Sequence, residues 1–414
     1  MSRLLRSLPV IAAVTLTGVL LLARSASSSQ RVGVQMSAPL VTMPASLDEA
    51  ATRDRDIAFY SRRTLEDTSS ATDRFTLAGL FFARSRYTGS PGDLQRAELL
   101  ARQSIGLRTQ RNTQALDLLA SVLMAKHEFH DAHALALRAD SLDPDTPSHL
   151  ALLGEIELEL GEYDAAAAHF KAIHVGTEQF TIGARLARWH ELTGRIDLAR
   201  QYLTRAITEV NRRDDLPREQ VAWFHYRLGE LELRAGNVSA AERAFRAALT
   251  RHPDDVRALG GLARAALAAG KWKDAIDAGE RATIIQLDPT TLGAISQAYA
   301  SLGDTAQATS VAKAMSVSAL TQPGVIHRGW GLFLLDHGTA AERRTVLSRA
   351  RLELRDRHDV YGHDLLAWAL YRTGDVEGAR AEMALAMAQG TQDVMLTTHA
   401  RAIGLPVTIA ALRL

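Results

Sequence analysis

The 414-residue sequence contains no cysteine. Disulfides, thiolate metal sites, sulfur nucleophiles and lipid attachment through sulfur are therefore excluded. Lysine is scarce: of 48 cationic side chains only Lys126, Lys171, Lys271, Lys273 and Lys313 are lysines. This bias towards Arg and Ala reflects genome composition more than function. An excess of either charge is missing too. The 48 Lys+Arg balance 47 Asp+Glu to a net charge of +1, so no basic field attracts nucleic acid. The sequence has no GxxxxGK[ST], no G-x-S-x-G and no HExxH, and nothing in it implies a cofactor or an enzyme. With 47% apolar and 23% charged residues the chain can bury a core, which excludes global disorder. Its length allows either two or three ordinary domains or one extended repeat array.

Residues 1–30 follow a separate rule. Arg3 and Arg6 precede a run, residues 7–23, that carries no charge, and Arg24 ends it. This is the three-part layout of an export signal. As a helix the run would reach roughly 26 Å, the lower edge of what spans a bilayer. Two readings fit. Ala23 and Ser25 supply the small residues of a cleavage site, with Arg24 between them. Alternatively the run stays as an anchor, with Arg3 and Arg6 on the cytoplasmic side. Both place the rest of the chain outside the cytoplasm, free in the periplasm or tethered to the membrane through residues 7–23. Residues 26–46, with Pro39 and Pro44, read as a flexible linker.

From about residue 48 onward one pattern recurs. Its clearest copy covers 222–255, where Leu228-Gly229 is followed by Gly236, Ala241, Phe245, Ala248 and Pro253. Small residues at Gly229, Ala241 and Ala248 let two antiparallel helices approach closely. Gly236 supplies the left-handed residue between them, and Pro253 stops the second. The same phase gives Leu119-Ala120 with Ala132, Ala136 and Ala139; Leu153-Gly154 with Gly161, Ala166 and Phe170; and Leu186-Ala187 with Gly194 and Ala199. It continues through Leu262-Ala263 with Gly270, Ile295 with Gly303-Asp304, Trp330-Gly331 with Gly338, and Leu366-Ala367 with Gly374-Asp375. Residues 71–87 and 93–108 read as a divergent pair whose turn is lengthened by 87–92. A helix over 48–66 precedes it, and a capping helix over 392–403 ends the array.

Those offsets in a 34-residue unit resemble the tetratricopeptide repeat over roughly 71–392. The resemblance, to exported bacterial members, implies an all-α, right-handed superhelical solenoid of about nine helix pairs with a C-terminal cap. It also implies a concave face that binds a partner peptide or helix. The domain reading is a leader or anchor at 1–25, a linker at 26–46, a first array at 47–213, an insert and boundary at 214–221, a second array with its cap at 222–404, and a tail at 405–414. The insert belongs to a departure from the pattern at 208–221, about eight residues beyond the repeat.

The same register implies groove residues. In the middle of the array these are Arg188, Trp223, Tyr226, Glu230, Arg257 and Arg264. Arg and aromatic side chains are the types that carry interface energy. The competing reading is that the aromatics complete packing after the insert while the arginines solvate the face. Family members that clamp a terminal carboxylate place Lys and Asn at positions 5 and 9 of the first helix. Here those positions hold Tyr226 and Glu230, or Gly260 and Arg264, so that clamp is absent.

The function expected from these features is a non-enzymatic interaction scaffold, or an assembly factor for an envelope complex. A third reading is a metal protein using His127, His130 and His133, whose H-x-x-H-x-x-H spacing could bind Zn or Ni. Against it, His127 stands where other copies carry the turn glycine. His358-Asp359, Tyr361 and His363-Asp364 could do acid–base chemistry, but no nucleophile lies nearby in sequence.

Overall fold

The structure is a computed structural model. It describes residues 45–174, 176, 179–321 and 327–406. The leader and linker expected before residue 45 lie outside this range, as does the tail from 407. No described helix is long and apolar enough to cross a membrane.

The described residues form twenty helices and no strand. Helix α1 (Ala45–Glu66) precedes nine antiparallel pairs. They are α2 (Ala71–Thr88) with α3 (Pro91–Leu107), α4 (Thr113–Ala125) with α5 (Phe129–Leu142), and α6 (Pro147–Leu160) with α7 (Tyr163–Ala172). Next come α8 (Phe180–Leu192) with α9 (Ile196–Val210), α10 (Arg218–Arg234) with α11 (Val238–Arg251), and α12 (Val256–Ala268) with α13 (Trp272–Ile285). The last three are α14 (Pro289–Ser301) with α15 (Thr305–Leu320), α16 (Arg328–His337) with α17 (Ala340–Glu353), and α18 (Val360–Thr373) with α19 (Val376–Met387). Helix α20 (Val394–Ile403) closes the array.

The repeat residues do what their sizes require. Phe245 is fully buried between two glycines, and a Cβ on Gly229 would stand 2.5 Å from its ring. Any larger residue there would force α10 and α11 apart. Gly161, Gly194, Gly236, Gly270, Gly303 and Gly374 all take positive φ between the helices of their pairs. His127 takes the same conformation, at φ 63°, in the α4–α5 turn.

Two local expectations are revised. Residues 87–92 do not make a long turn. Thr88 still belongs to α2 and Pro91 already opens α3, so Gly89 and Ser90 alone connect them. The reason is capping: Ser90 accepts the Asp93 N–H, Pro91 presets the first helical φ, and Gly89 takes the left-handed residue. Gly338 does not adopt positive φ. Its φ is −79°, and α17 starts instead from a capping box between Thr339 and Glu342.

The 208–221 stretch extends α9 to Val210 and delays α10 to Arg218. Val210, Val221 and Phe224 pack together across it, and the described residues from 45 to 406 form one compact unit.

The array coils back onto itself. His127 in the α4–α5 turn meets His327 ahead of α16, ring centroids 5.2 Å apart. Leu160, closing α6, accepts the His358 N–H at 2.9 Å, and the Tyr163 phenol accepts the Val360 N–H at 2.9 Å. Gln392 Nε2 donates to the Gly194 carbonyl at 2.9 Å. In each case a turn within one pair touches the loop that opens the element six pairs further on. Arg53 of α1 adds an ion pair to Glu219 of α10 at 2.9 Å. The inner faces of the first helices therefore line an interior bounded by two stacked turns.

Candidate functional site

Two cavities occupy that interior. The larger, of about 860 Å³, is lined by Arg188, Tyr226, Glu230, Arg234, Arg257 and Arg264 from the first turn and by Arg328, Arg357 and Tyr361 from the second. The smaller, of about 550 Å³, is lined by Phe82, Arg86, Tyr87, Arg185, Arg188, Trp223, Arg227 and Arg257, among others. Both fall within the range of roughly 300–1,000 Å³ that ligand sites occupy.

All six groove residues expected from the register face these cavities. Four of them are engaged within the wall. Glu230 bridges Arg264 at 2.6 Å and Arg234 at 3.2 Å, while Arg257 closes on Asp255 at 2.6 Å. Arg188 reaches Glu191 at 3.3 Å and Glu159 at 3.6 Å. Of the two aromatics, Tyr226 lies beneath Arg257, and Trp223 stands edge-on to Phe224 with centroids 4.8 Å apart.

Glu191 organises this wall. It accepts from Arg234 at 2.7 Å and from Arg227 at 3.3 Å, besides Arg188. Burial opposes its ionisation, but Arg234, Arg188 and Arg227 together hold its carboxyl far below the usual range. Glu230 is lowered the same way: burial is outweighed by Arg264 and Arg234.

The second turn contributes its own arginines. Arg357 bridges Asp359 at 2.8 Å, Glu353 at 3.1 Å and Glu159 at 3.3 Å, tying α18 to α6. Burial raises the Glu353 carboxyl to about 7 despite Arg357. Three guanidinium groups, Arg328, Arg188 and Arg234, lie over the Tyr361 ring at 4.6, 5.4 and 5.8 Å. Burial pushes its phenol up to about 12.

Arg86 was not among the expected groove residues. It projects from the last turn of α2 into the smaller cavity and, among the described residues, makes no ion pair. Its guanidinium lies over the Phe82 ring at 5.1 Å. Although Arg86 is exposed to solvent, partial desolvation by the cavity wall and the nearby charge of Arg257 lower its affinity for its proton. Around the same cavity six arginines meet three glutamates, Glu155, Glu159 and Glu219. The register missed Arg86 because the α2–α3 pair departs from the repeat pattern. Its place in the last turn of a first helix was the available signal.

The histidine triplet does not form one site. His127 turns into the seam against His327, His130 is exposed, and His133 bonds Glu157 of α6 at 3.2 Å. From its left-handed turn His127 packs its ring on Phe129 and His327. The second histidine cluster is structural as well. Asp359 caps α18, His363 bonds Glu382 at 2.7 Å, and Asp364 is shared by His399 at 2.8 Å and Arg328 at 2.6 Å.

A family model for the tetratricopeptide repeat matches residues 118–174 and 226–290. No curated protein matches the sequence. Among solved structures, PilW, described as a type IV pilus biogenesis factor, is 17% identical with a TM-score of 0.44. That match covers 52% of this chain and 96% of PilW. Pseudomonas aeruginosa pilF gives 13% and 0.41, over 57% of this chain and 96% of its own. Human IFIT1, solved as a dimer with m7Gppp-AAAA, gives 14% and 0.49, over 78% and 72%. None of these scores reaches 0.5, so the fold rests on the helix pairs described above.

Proposed function

Taking the chain as a tetratricopeptide-repeat solenoid, we propose that it is a non-enzymatic scaffold that holds an acidic segment of a partner protein in its interior. The observation that carries this reading is Arg86, a cation without a counter-ion in a cavity where arginines outnumber glutamates two to one. A partner carboxylate would supply the missing charge through a charge-assisted hydrogen bond. Trp223 and Tyr87 offer apolar area beside it.

The scaffold acts outside the cytoplasm, delivered or held there by residues 7–23. Such a position also suits the second reading, an assembly factor for a membrane or envelope complex, because the charge-free run provides a tether.

Crosslinking the native chain in the intact envelope, followed by mass spectrometry, tests both. Wild type should capture a stoichiometric partner at residues around 86 and 223, and Arg86→Glu with Trp223→Ala should lose it at unchanged helicity. Capture that is indifferent to both changes would remove the interior from the reading. A multi-subunit complex in place of one partner would favour the assembly factor.

A further inference from the structure

Outside the interior, one buried carboxylate breaks a rule that every other obeys. Among the described residues Asp73, Asp93, Glu191, Glu230, Glu232, Asp255, Asp359, Asp364 and Asp393 are buried acids, and each has an arginine within ion-pair distance. Glu157, only 2% exposed, has none. Its partners are two imidazoles: His133 Nε2 of α5 at 3.2 Å on one oxygen, and His169 Nδ1 of α7 at 2.8 Å on the other.

A second carboxylate stands beside it. Gly161 ends α6 in the left-handed conformation, and the Glu162 N–H then returns to the Glu157 carbonyl at 2.8 Å. That turn brings the Glu162 side chain to the same point. The ligating atoms of His133, Glu157 and Glu162 all lie within 4.8 Å of one another. Two carboxylates this close, one of them buried, are costly without a cation.

We propose that His133, Glu157 and Glu162 bind a divalent transition metal of the zinc class, with His169 orienting Glu157 through its second oxygen. Imidazole and carboxylate together select this class, and thiolate-loving ions have no ligand here. Bonds of about 2.0–2.2 Å set tetrahedral ligand atoms about 3.3–3.6 Å apart; His133 Nε2 and the nearer Glu157 oxygen already stand 3.2 Å apart, so Glu162 is the ligand that moves. Glu162 is exposed on a turn and free to make that movement. The site ties α5, α6 and α7 together and is independent of any partner in the interior.

The test uses the full chain without a polyhistidine tag, stripped with chelator and titrated with zinc chloride by equilibrium dialysis and calorimetry. One zinc per chain should bind. His133→Ala and Glu162→Gln should each weaken it at least about tenfold, since even outer partners of metal ligands cost that much. His127→Ala and His130→Ala should bind as wild type does. Glu162→Gln keeps the proposal falsifiable if the buried variants fail to fold, because its side chain is exposed and makes no hydrogen bond to Glu157. Absence of saturable zinc uptake would overturn the proposal and leave a carboxylate bonded by two imidazoles. Uptake indifferent to both His133→Ala and Glu162→Gln would overturn it as well.

Discussion

The backbone N–H of His358 donates to the carbonyl of Leu160 at 2.9 Å, joining the ninth helix pair to the third. Leu160 is the last residue of α6, where a helix carbonyl has no partner of its own, so the second turn satisfies an end that the first leaves open.

Gly161 makes this bond possible. A Cβ there would collide with the His358 carbonyl, and its φ of +84° is strained for any other residue. Gly161→Ala should cost clearly more than the roughly 1–2 kcal/mol of left-handed strain alone. Gly374→Ala is the control: φ is +98°, but a Cβ there meets nothing within 4 Å. Equal losses of melting temperature in the two variants would show that the turns do not touch. Hydrogen exchange at His358 should accelerate in the first variant only.

The seam should also respond to pH. Burial, and then the charges of His327 and Arg357, lower the His127 imidazole from 6.5 to about 4, and burial lowers that of His327. The unfolded chain then takes up protons first as the pH falls. Stability is fully present above about 6.5 and is lost progressively down to about 4. Between about pH 7 and pH 5 the His127 share is on the order of 1–2 kcal/mol. His127→Asn, which tolerates the left-handed turn, should show a smaller drop in melting temperature over that interval. An unchanged drop would place the titration elsewhere.

Glu191 is the counter-ion for three arginines of the wall. Removing its charge leaves Arg188, Arg227 and Arg234 facing one another. Glu191→Gln should therefore destabilise by about 3–5 kcal/mol, as expected for one side of a buried ion-pair network. Chemical denaturation measures it, and a loss below about 1 kcal/mol would mean the arginines find other partners.

The crossings within pairs tolerate no extra volume. Ala241 and Ala275 are fully buried where α11 and α13 meet their partners. Replacing either by Leu should cost about 1–3 kcal/mol. Unchanged melting temperatures in both would contradict the packing described for the repeat.

The helix pairs were legible because each is a local object. Gly236, Ala241, Phe245 and Ala248 meet within 34 residues, so spacing alone places them. His127 was legible as a turn residue for the same reason: it occupies the position where Gly161 and Gly194 recur in the next two copies. The groove register also reached the residues that line the interior, from Arg188 to Arg264.

What the register could not give is which of those residues are engaged. Arg188 and Arg264 are spoken for because Glu159 and Glu230 lie on neighbouring first helices, and repeat position says nothing about a neighbour's charge. His133 looked like a companion of His127 and His130, but its partner Glu157, and the His169 that shares that carboxylate, come from the following pair.

The sequence by itself determined the unit, its phase and the nine-fold repetition of a helix pair. Only the tertiary structure decided that the solenoid closes on itself and encloses its concave face. The rotation between successive pairs is a small angle set by packing at every interface, and its sum over six pairs brings Leu160 to His358. No single repeat encodes that sum, so no single repeat reveals it.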